Sequence, residues 1–176
     1  MRHDGTLATA LDDLAVVESF GARQPTIPRG LLPRGAACAE LHSTTGDLRQ
    51  FNALSAEEQA LVGGAVDRRK ADFGDSRWCA HQALKNFMDV HPPILRGPRG
   101  MPLFPHGISG SLTHTEGFRA ALLAPARRWA SVGIDVEAAR PLPEGVFNTI
   151  ARPGEQRRIH KAMRSEDLQL LDTVLF

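Results

Sequence analysis

Two adjacent prolines, in His91-Pro92-Pro93, divide the chain into two kinds of sequence. Proline lacks a backbone N–H, clashes with the preceding turn and pushes the residue before it out of helical geometry, so no helix runs through this pair. Residues 55–88, before it, carry helical patterns. After it, Ile94 to His114 is rich in Gly and Pro with short apolar pieces, and Phe118 to Val136 contains two strand-like runs. Helices and strands occur without the regular alternation of a parallel α/β fold, and the class this predicts is α+β.

The finer pattern predicts individual elements. Leu7, Leu11, Leu14 and Val17 fall at helical spacing and predict an amphipathic helix over Thr6 to Phe20. A Pro/Gly/Arg-rich connector follows from Gly21 to Arg34, and Ala36 to His42 reads as a strand. Ser55-Ala-Glu-Glu58 has the form of a capping box, opening a helical stretch to about Phe73. Gly74-Asp75-Ser76 predicts a break, and a second helix is expected from Arg77 to about Met88. Phe118–Ala124 and Trp129–Val136 read as an antiparallel pair about a turn at Pro125. A last helix is expected from Pro153 to about Arg164, and Leu168 to Phe176 is again apolar.

Composition removes several classes of function. With 42% hydrophobic and 23% charged residues the chain is globular in character. Net charge is +1, so no global field draws it to nucleic acid or to a membrane surface, and affinity for anions has to come from local arginine clusters. Cys38 and Cys79 are too far apart in sequence for a close-spaced zinc motif and too few for a disulfide framework, which fits a reducing compartment. The N-terminus carries acids and has no apolar signal core, and no apolar run reaches the length of a membrane span. These features predict a cytoplasmic protein.

Three groups of residues carry chemical interest. In Ser131-Val-Gly-Ile-Asp135-Val-Glu137 the strand period sends Val132, Ile134 and Val136 to one face and Asp135 and Glu137 to the other. The two carboxylates then lie roughly 6.5–7 Å apart along the strand. Magnesium takes one or two carboxylates and fills its shell with water or phosphate oxygens, so the pair suits that ion; a solvated strand face has the same pattern. Gly110-Ser-Leu-Thr-His114 offers a histidine and two hydroxyls. The nearby Gly107-Ile-Ser109-Gly110 is not the nucleophile elbow of a serine hydrolase. The third group is cationic: Arg68, Arg69, Lys70 and Arg77, then Arg96 and Arg99 between glycines. Arg69 and Arg77 are about two helical turns apart, and guanidinium forks bind phosphate through paired hydrogen bonds.

Together these motifs form an ordered set: Arg68-Arg-Lys-Ala-Asp-Phe73 with Arg77, then Ile94-Leu-Arg-Gly and Gly100-Met-Pro102, then Gly110–His114, then Val132-Gly-Ile-Asp135-Val-Glu137. The set resembles the 4′-phosphopantetheinyl transferases of the surfactin-synthetase type, especially their actinobacterial members, over residues 31–176. The resemblance implies an α+β fold of two similar lobes: an extension at 1–30, a complete first lobe at 31–130 and the start of a second, pseudo-symmetric lobe at 131–176. It implies a magnesium-dependent transfer of phosphopantetheine from coenzyme A to a serine of an acyl or peptidyl carrier protein. By the same resemblance Asp135 and Glu137 hold magnesium and, with His114, form the catalytic set. Thr113 and His114 touch the coenzyme's phosphates, and Arg69, Arg77, Arg96 and Arg99 engage the 3′-phosphate and pyrophosphate. A Lys-Glu motif of the family, supplying a third carboxylate, has no counterpart before Phe176, so the chain is expected to stop short of it and to be silent alone. Two rival readings remain: an inactive module that binds coenzyme A or a carrier protein, and a metal-dependent phosphoesterase built on Asp135, Glu137 and His114.

Overall fold

The computed structural model describes residues 14–138 and 145–162. The chain divides into two compact units, Met1–Val136 and Glu137–Phe176. The first is built on a four-stranded sheet of β1 (Val16–Phe20), β2 (Ala37–His42), β5 (Ile108–Thr115) and β6 (Phe118–Pro125), in the order β1-β2-β6-β5. β1 runs parallel to β2, and the other two pairings are antiparallel. A small hairpin of β3 (Leu95–Arg96) and β4 (Pro102–Leu103) stands apart from this sheet.

β2 and β6 are buried along almost their whole length, so neither shows the alternation of a one-faced strand. On one face, Ala37, Ala39, Ala121 and Leu123 meet Cys79, Ala80, Ala83 and Leu84 of the long helix α3 (Asp67–Leu84). Alanines on both sides let that helix approach closely. Leu84 is fully buried here, which contributes about 1.5–3 kcal/mol. On the other face, Cys38, Ala120, Leu122 and Ala124 are covered by Ile27, Leu32 and Trp129 and by Val132, Ile134 and Val136.

Several expectations are corrected. Val16–Phe20 is a strand rather than the end of a helix, because the β-branched Val16 and Val17 find a parallel partner in β2, Val16 opposite Ala37; residues 6–13 of that expected helix lie outside the described residues. Ser55 does cap a helix, its Oγ accepting from the Glu58 N–H at 3.3 Å. That helix, α2 (Ala56–Ala60), is short, and turns through Gly63 and Gly64 separate it from α3. α1 (Arg49–Asn52) precedes it.

Gly74 does not break α3. A Cβ there would lie 2.5 Å from the Phe51 backbone nitrogen, so the glycine is a point of close approach between α1 and α3. Phe51, Leu54, Val62 and Phe73 close a small core around it. The helix expected over 77–88 is the second half of α3 and ends at Leu84.

β6 pairs with β5 rather than with residues 129–136, because Glu116-Gly117 turns the chain in two residues, with Gly117 at φ 76°. Trp129–Val136 forms no strand. In the second unit, α4 (Val146–Ile150) and α5 (Pro153–Ala162) are described. α5 matches the expected helix; Glu155 accepts from the Arg152 N–H at its start, at 2.8 Å. The apolar stretch Leu168–Phe176 lies outside the described residues.

Candidate functional site

β5 presents Ser109, Ser111 and Thr113 at alternate positions, and all three hydroxyls reach the segment that follows β6. Ser109 Oγ donates to the Trp129 carbonyl at 2.7 Å, and Ser111 Oγ to the Ile134 carbonyl at 3.4 Å. Thr113 Oγ1 donates to Asp135 Oδ1 at 2.9 Å and accepts from the Val136 N–H at 3.1 Å. Side-chain hydroxyls thus hold residues 129–136 along β5 in place of a backbone ladder. The expected alternation survives without the strand: Val132, Ile134 and Val136 are half-buried against the sheet, while Asp135 and Glu137 are exposed. Asp135 is oriented further by the Val136 N–H on Oδ1 at 3.0 Å.

Arg77 sits in the middle of α3, 4% exposed, with its guanidinium 4.8 Å from the Phe73 ring centroid. Its Nε is buried without a hydrogen-bond partner. Burial pulls its pKa down to about 10; the Glu58 carboxylate opposes that shift and the positive charge of Arg96 adds to it. Arg77 and Arg96, from different elements, therefore feel each other's field. Arg96 is exposed on β3, and Arg99 lies in the turn beyond it with a left-handed φ of 58°.

His114, on the face of β5 opposite Thr113, is exposed and lines a polar cleft of about 640 Å³ with Ser43, Thr44, Arg68, Asp72 and Arg119. Arg119 is committed inside the protein, paired with Asp72 and, at 3.5 Å, with Asp75. Burial pushes the Asp75 carboxyl up, and Arg119 opposes the shift. Arg68, rather than Arg69, shares the cleft with His114; Arg69 is exposed on the first turn of α3.

A second, mostly apolar groove of about 570 Å³ runs between the 26–33 loop and residues 129–136, with Asp135 in its wall. One buried carboxylate sets the loop side of this groove. Glu40 on β2 accepts from the Thr26 N–H at 2.6 Å and the Ile27 N–H at 3.1 Å, with His42 Nε2 at 3.2 Å.

Of the residues singled out by sequence, Thr113 and Asp135 meet directly and Arg77 and Arg96 are coupled by charge. His114 lines a polar cleft with Arg68, on the side of β5 away from the buried Thr113, and Glu137 is an exposed residue at the start of the second unit. Among the described residues, no three His, Cys, Asp or Glu side chains gather as a metal cluster. Sequence reasoning passed over Arg68 as the partner of His114, the hydroxyls of Ser109 and Ser111 as a set, and Glu58, read only as a capping residue. The alternation in Ile108-Ser-Gly-Ser-Leu-Thr113 was the available signal for the second of these.

α3, with its arginines, packs on one face of the sheet, and the segment that carries Asp135 packs on the other. Residues 57–124 match the family model of the 4′-phosphopantetheinyl transferase N-terminal domain. Three curated relatives carry the same name, 4′-phosphopantetheinyl transferase. The chain is 38% identical over 147 residues to the 4′-phosphopantetheinyl transferase Npt of Nocardia iowensis, covering 83% of this chain and 63% of that protein. It is 44% identical over 103 residues to Svp of Streptomyces mobaraensis, covering 58% and 42% of the two chains. To PptT of Mycobacterium tuberculosis it is 37% identical over 127 residues, covering 72% and 54%. The chain thus spans about two fifths to three fifths of the length of these relatives. No helix among the described residues is long and apolar enough to cross a membrane.

Proposed function

We propose that the whole protein transfers 4′-phosphopantetheine from coenzyme A to a serine of an acyl or peptidyl carrier protein, in the cytoplasm and with magnesium. The observation that carries this reading is the Thr113–Asp135 hydrogen bond, which joins two motifs 22 residues apart in sequence and orients an exposed carboxylate beside the edge strand β5. In this reading the first unit is the core of one lobe, and a second, pseudo-symmetric lobe opens within 131–176.

Arg77 and Arg96 receive the coenzyme's 3′-phosphate and pyrophosphate, with Arg69 and Arg99 as outer cations. His114 contacts phosphate oxygens, while Thr113, whose hydroxyl proton goes to Asp135, places that carboxylate. Asp135 fits a magnesium site because it offers hard oxygen donors, is exposed and has its orientation held through Oδ1. Asp135 and Glu137 would hold the ion, and bound there it supplies neutralising charge for the pyrophosphate. In the reaction the serine oxygen bonds to the phosphorus that carries pantetheine. The P–O bond to adenosine 3′,5′-bisphosphate breaks, its electron pair leaves with the bisphosphate, and the serine proton passes to a base. The protein's task in such a displacement is positioning and charge stabilisation, which arginines and carboxylates provide without a protein nucleophile.

The test is the intact mass of an apo carrier protein after incubation with the whole protein, coenzyme A and magnesium. A gain of one phosphopantetheine is expected, lost in Asp135→Ala and in Asp135→Asn, with the Asn variant keeping an unchanged far-UV spectrum. Loading by Asp135→Ala at a near-normal rate would overturn the reading.

A further inference from the structure

Three elements converge on one buried carboxylate. Glu58 on α2 is 1% exposed. Its Oε1 accepts from the Ile94 N–H at 3.1 Å, and its two oxygens lie 2.9 and 3.1 Å from His81 Nε2 on α3. A carboxylate is costly to bury even when paired, and an apolar side chain would pack α2 on α3 without that cost. The position therefore does something that packing alone does not.

The groups around it show what. From α3 it faces His81 and, through charge, Arg77. From the segment before β3 it holds the amide of Ile94, and the His91 ring lies 6.4 Å from that of His81. Arg96 on β3 reaches the group through its field on Arg77. On its own helix, its N–H is capped by Ser55. Ile94 is completely buried and lies two residues before Arg96. The Glu58–Ile94 bond therefore fixes where the β3–β4 hairpin begins, while the Glu58–His81 contact fixes it relative to α3. These are the elements that carry Arg96 and Arg77. Arg77 has no hydrogen bond at Nε to hold it and leans on the Phe73 ring.

We propose that Glu58 is a positioning residue for anion binding: through Ile94 and His81 it sets the separation of Arg96 and Arg77, so that both face one phosphorylated ligand. This rests on the reading that these two arginines bind coenzyme A.

The test compares Glu58→Ala with Glu58→Gln, because a glutamine keeps an oxygen for the Ile94 N–H and removes the charge. Three readouts are taken on each folded chain: coenzyme A affinity by calorimetry, hydrogen exchange at the Ile94 amide, and the urea midpoint. Glu58→Ala is expected to weaken coenzyme A binding about tenfold or more, as a misplaced binding group does, with faster exchange at Ile94. Glu58→Gln is expected to keep Ile94 protected and affinity within about threefold of the parent. Unchanged affinity in Glu58→Ala, with Arg77→Ala or Arg96→Ala still weakening binding, overturns the positioning role and leaves the functional reading standing. Loss of affinity in Glu58→Gln while Ile94 stays protected also overturns it, since charge would then be the cause. If neither arginine variant weakens binding, both the reading and the inference fall. Should Glu58→Ala not fold, His81→Ala cuts the same tie from the helix side: weakened binding supports the role and unchanged binding refutes it.

Discussion

Replacing Thr113 by Val removes one buried oxygen and keeps the branched shape. That oxygen donates to Asp135 Oδ1 at 2.9 Å and accepts from the Val136 N–H at 3.1 Å. A hydrogen bond to a charged acceptor is worth about 1.5–3 kcal/mol. The lower end applies, because Asp135 is exposed and water takes over part of the lost contact. The Val136 N–H keeps Asp135 Oδ1 at 3.0 Å, so no backbone donor is orphaned. The extra methyl returns at most about 0.8 kcal/mol, leaving a net loss of about 1 kcal/mol. With a urea slope of about 2 kcal/mol/M, the midpoint falls by about 0.5 M. Thr113→Ser loses a methyl instead and is destabilised by a similar amount, so stability does not separate the two variants. Coenzyme A titration in magnesium does. Thr113→Val is expected to bind about tenfold more weakly than the parent and Thr113→Ser within about threefold of it. Equal binding by the Val and Ser variants would refute the idea that this hydroxyl places Asp135.

Gly74→Ala is expected to lower the urea midpoint by roughly 1–3 kcal/mol equivalent, because the Phe51 backbone occupies the space of the new Cβ, although alanine favours a helix by about 1 kcal/mol; a raised midpoint would show that α1 and α3 separate freely. Burial alone would raise the Glu58 carboxyl, yet the His81 contact and the Ile94 N–H more than offset this and hold it below the usual glutamate range. Its contribution is therefore present above the unfolded value and lost as pH falls through the lower folded value, so the midpoint gap between the parent and Glu58→Gln should hold at neutral pH and close in acid. Burial pushes the Cys38 thiol up to about 12 and raises Cys79 as well, so neither should react with a thiol reagent at pH 8 until urea unfolds the chain.

The sequence carried the local elements best where one signal was unopposed. β2 and β6 are dense apolar runs, and α5 opens with proline at its first position. It misled where a residue served tertiary contact. Val17 fits a helical period and a strand equally, and only the β2 partner decides. Gly74 reads as a breaker, yet the reason for it is Phe51 of another helix, which no local window contains. The Asp135 alternation was legible because the sheet buries the valine and isoleucine face whatever holds the backbone. What holds it, hydroxyls from β5, depended on knowing which strand lies alongside. Glu58 was half legible: its N–H obeys the capping pattern, while its side chain answers to Ile94 and His81, distant in sequence.

The central claim is that the arginines of α3 and β3 exist to hold a doubly anionic phosphate, and calorimetric titration of the chain with coenzyme A and with dephospho-coenzyme A tests it most directly. The account predicts tighter binding of coenzyme A by roughly ten- to a hundredfold, one charged hydrogen-bond set of about 1.5–3 kcal/mol, with the preference reduced in Arg77→Ala and Arg96→Ala. Equal affinity for the two compounds, unchanged in those variants, would contradict it.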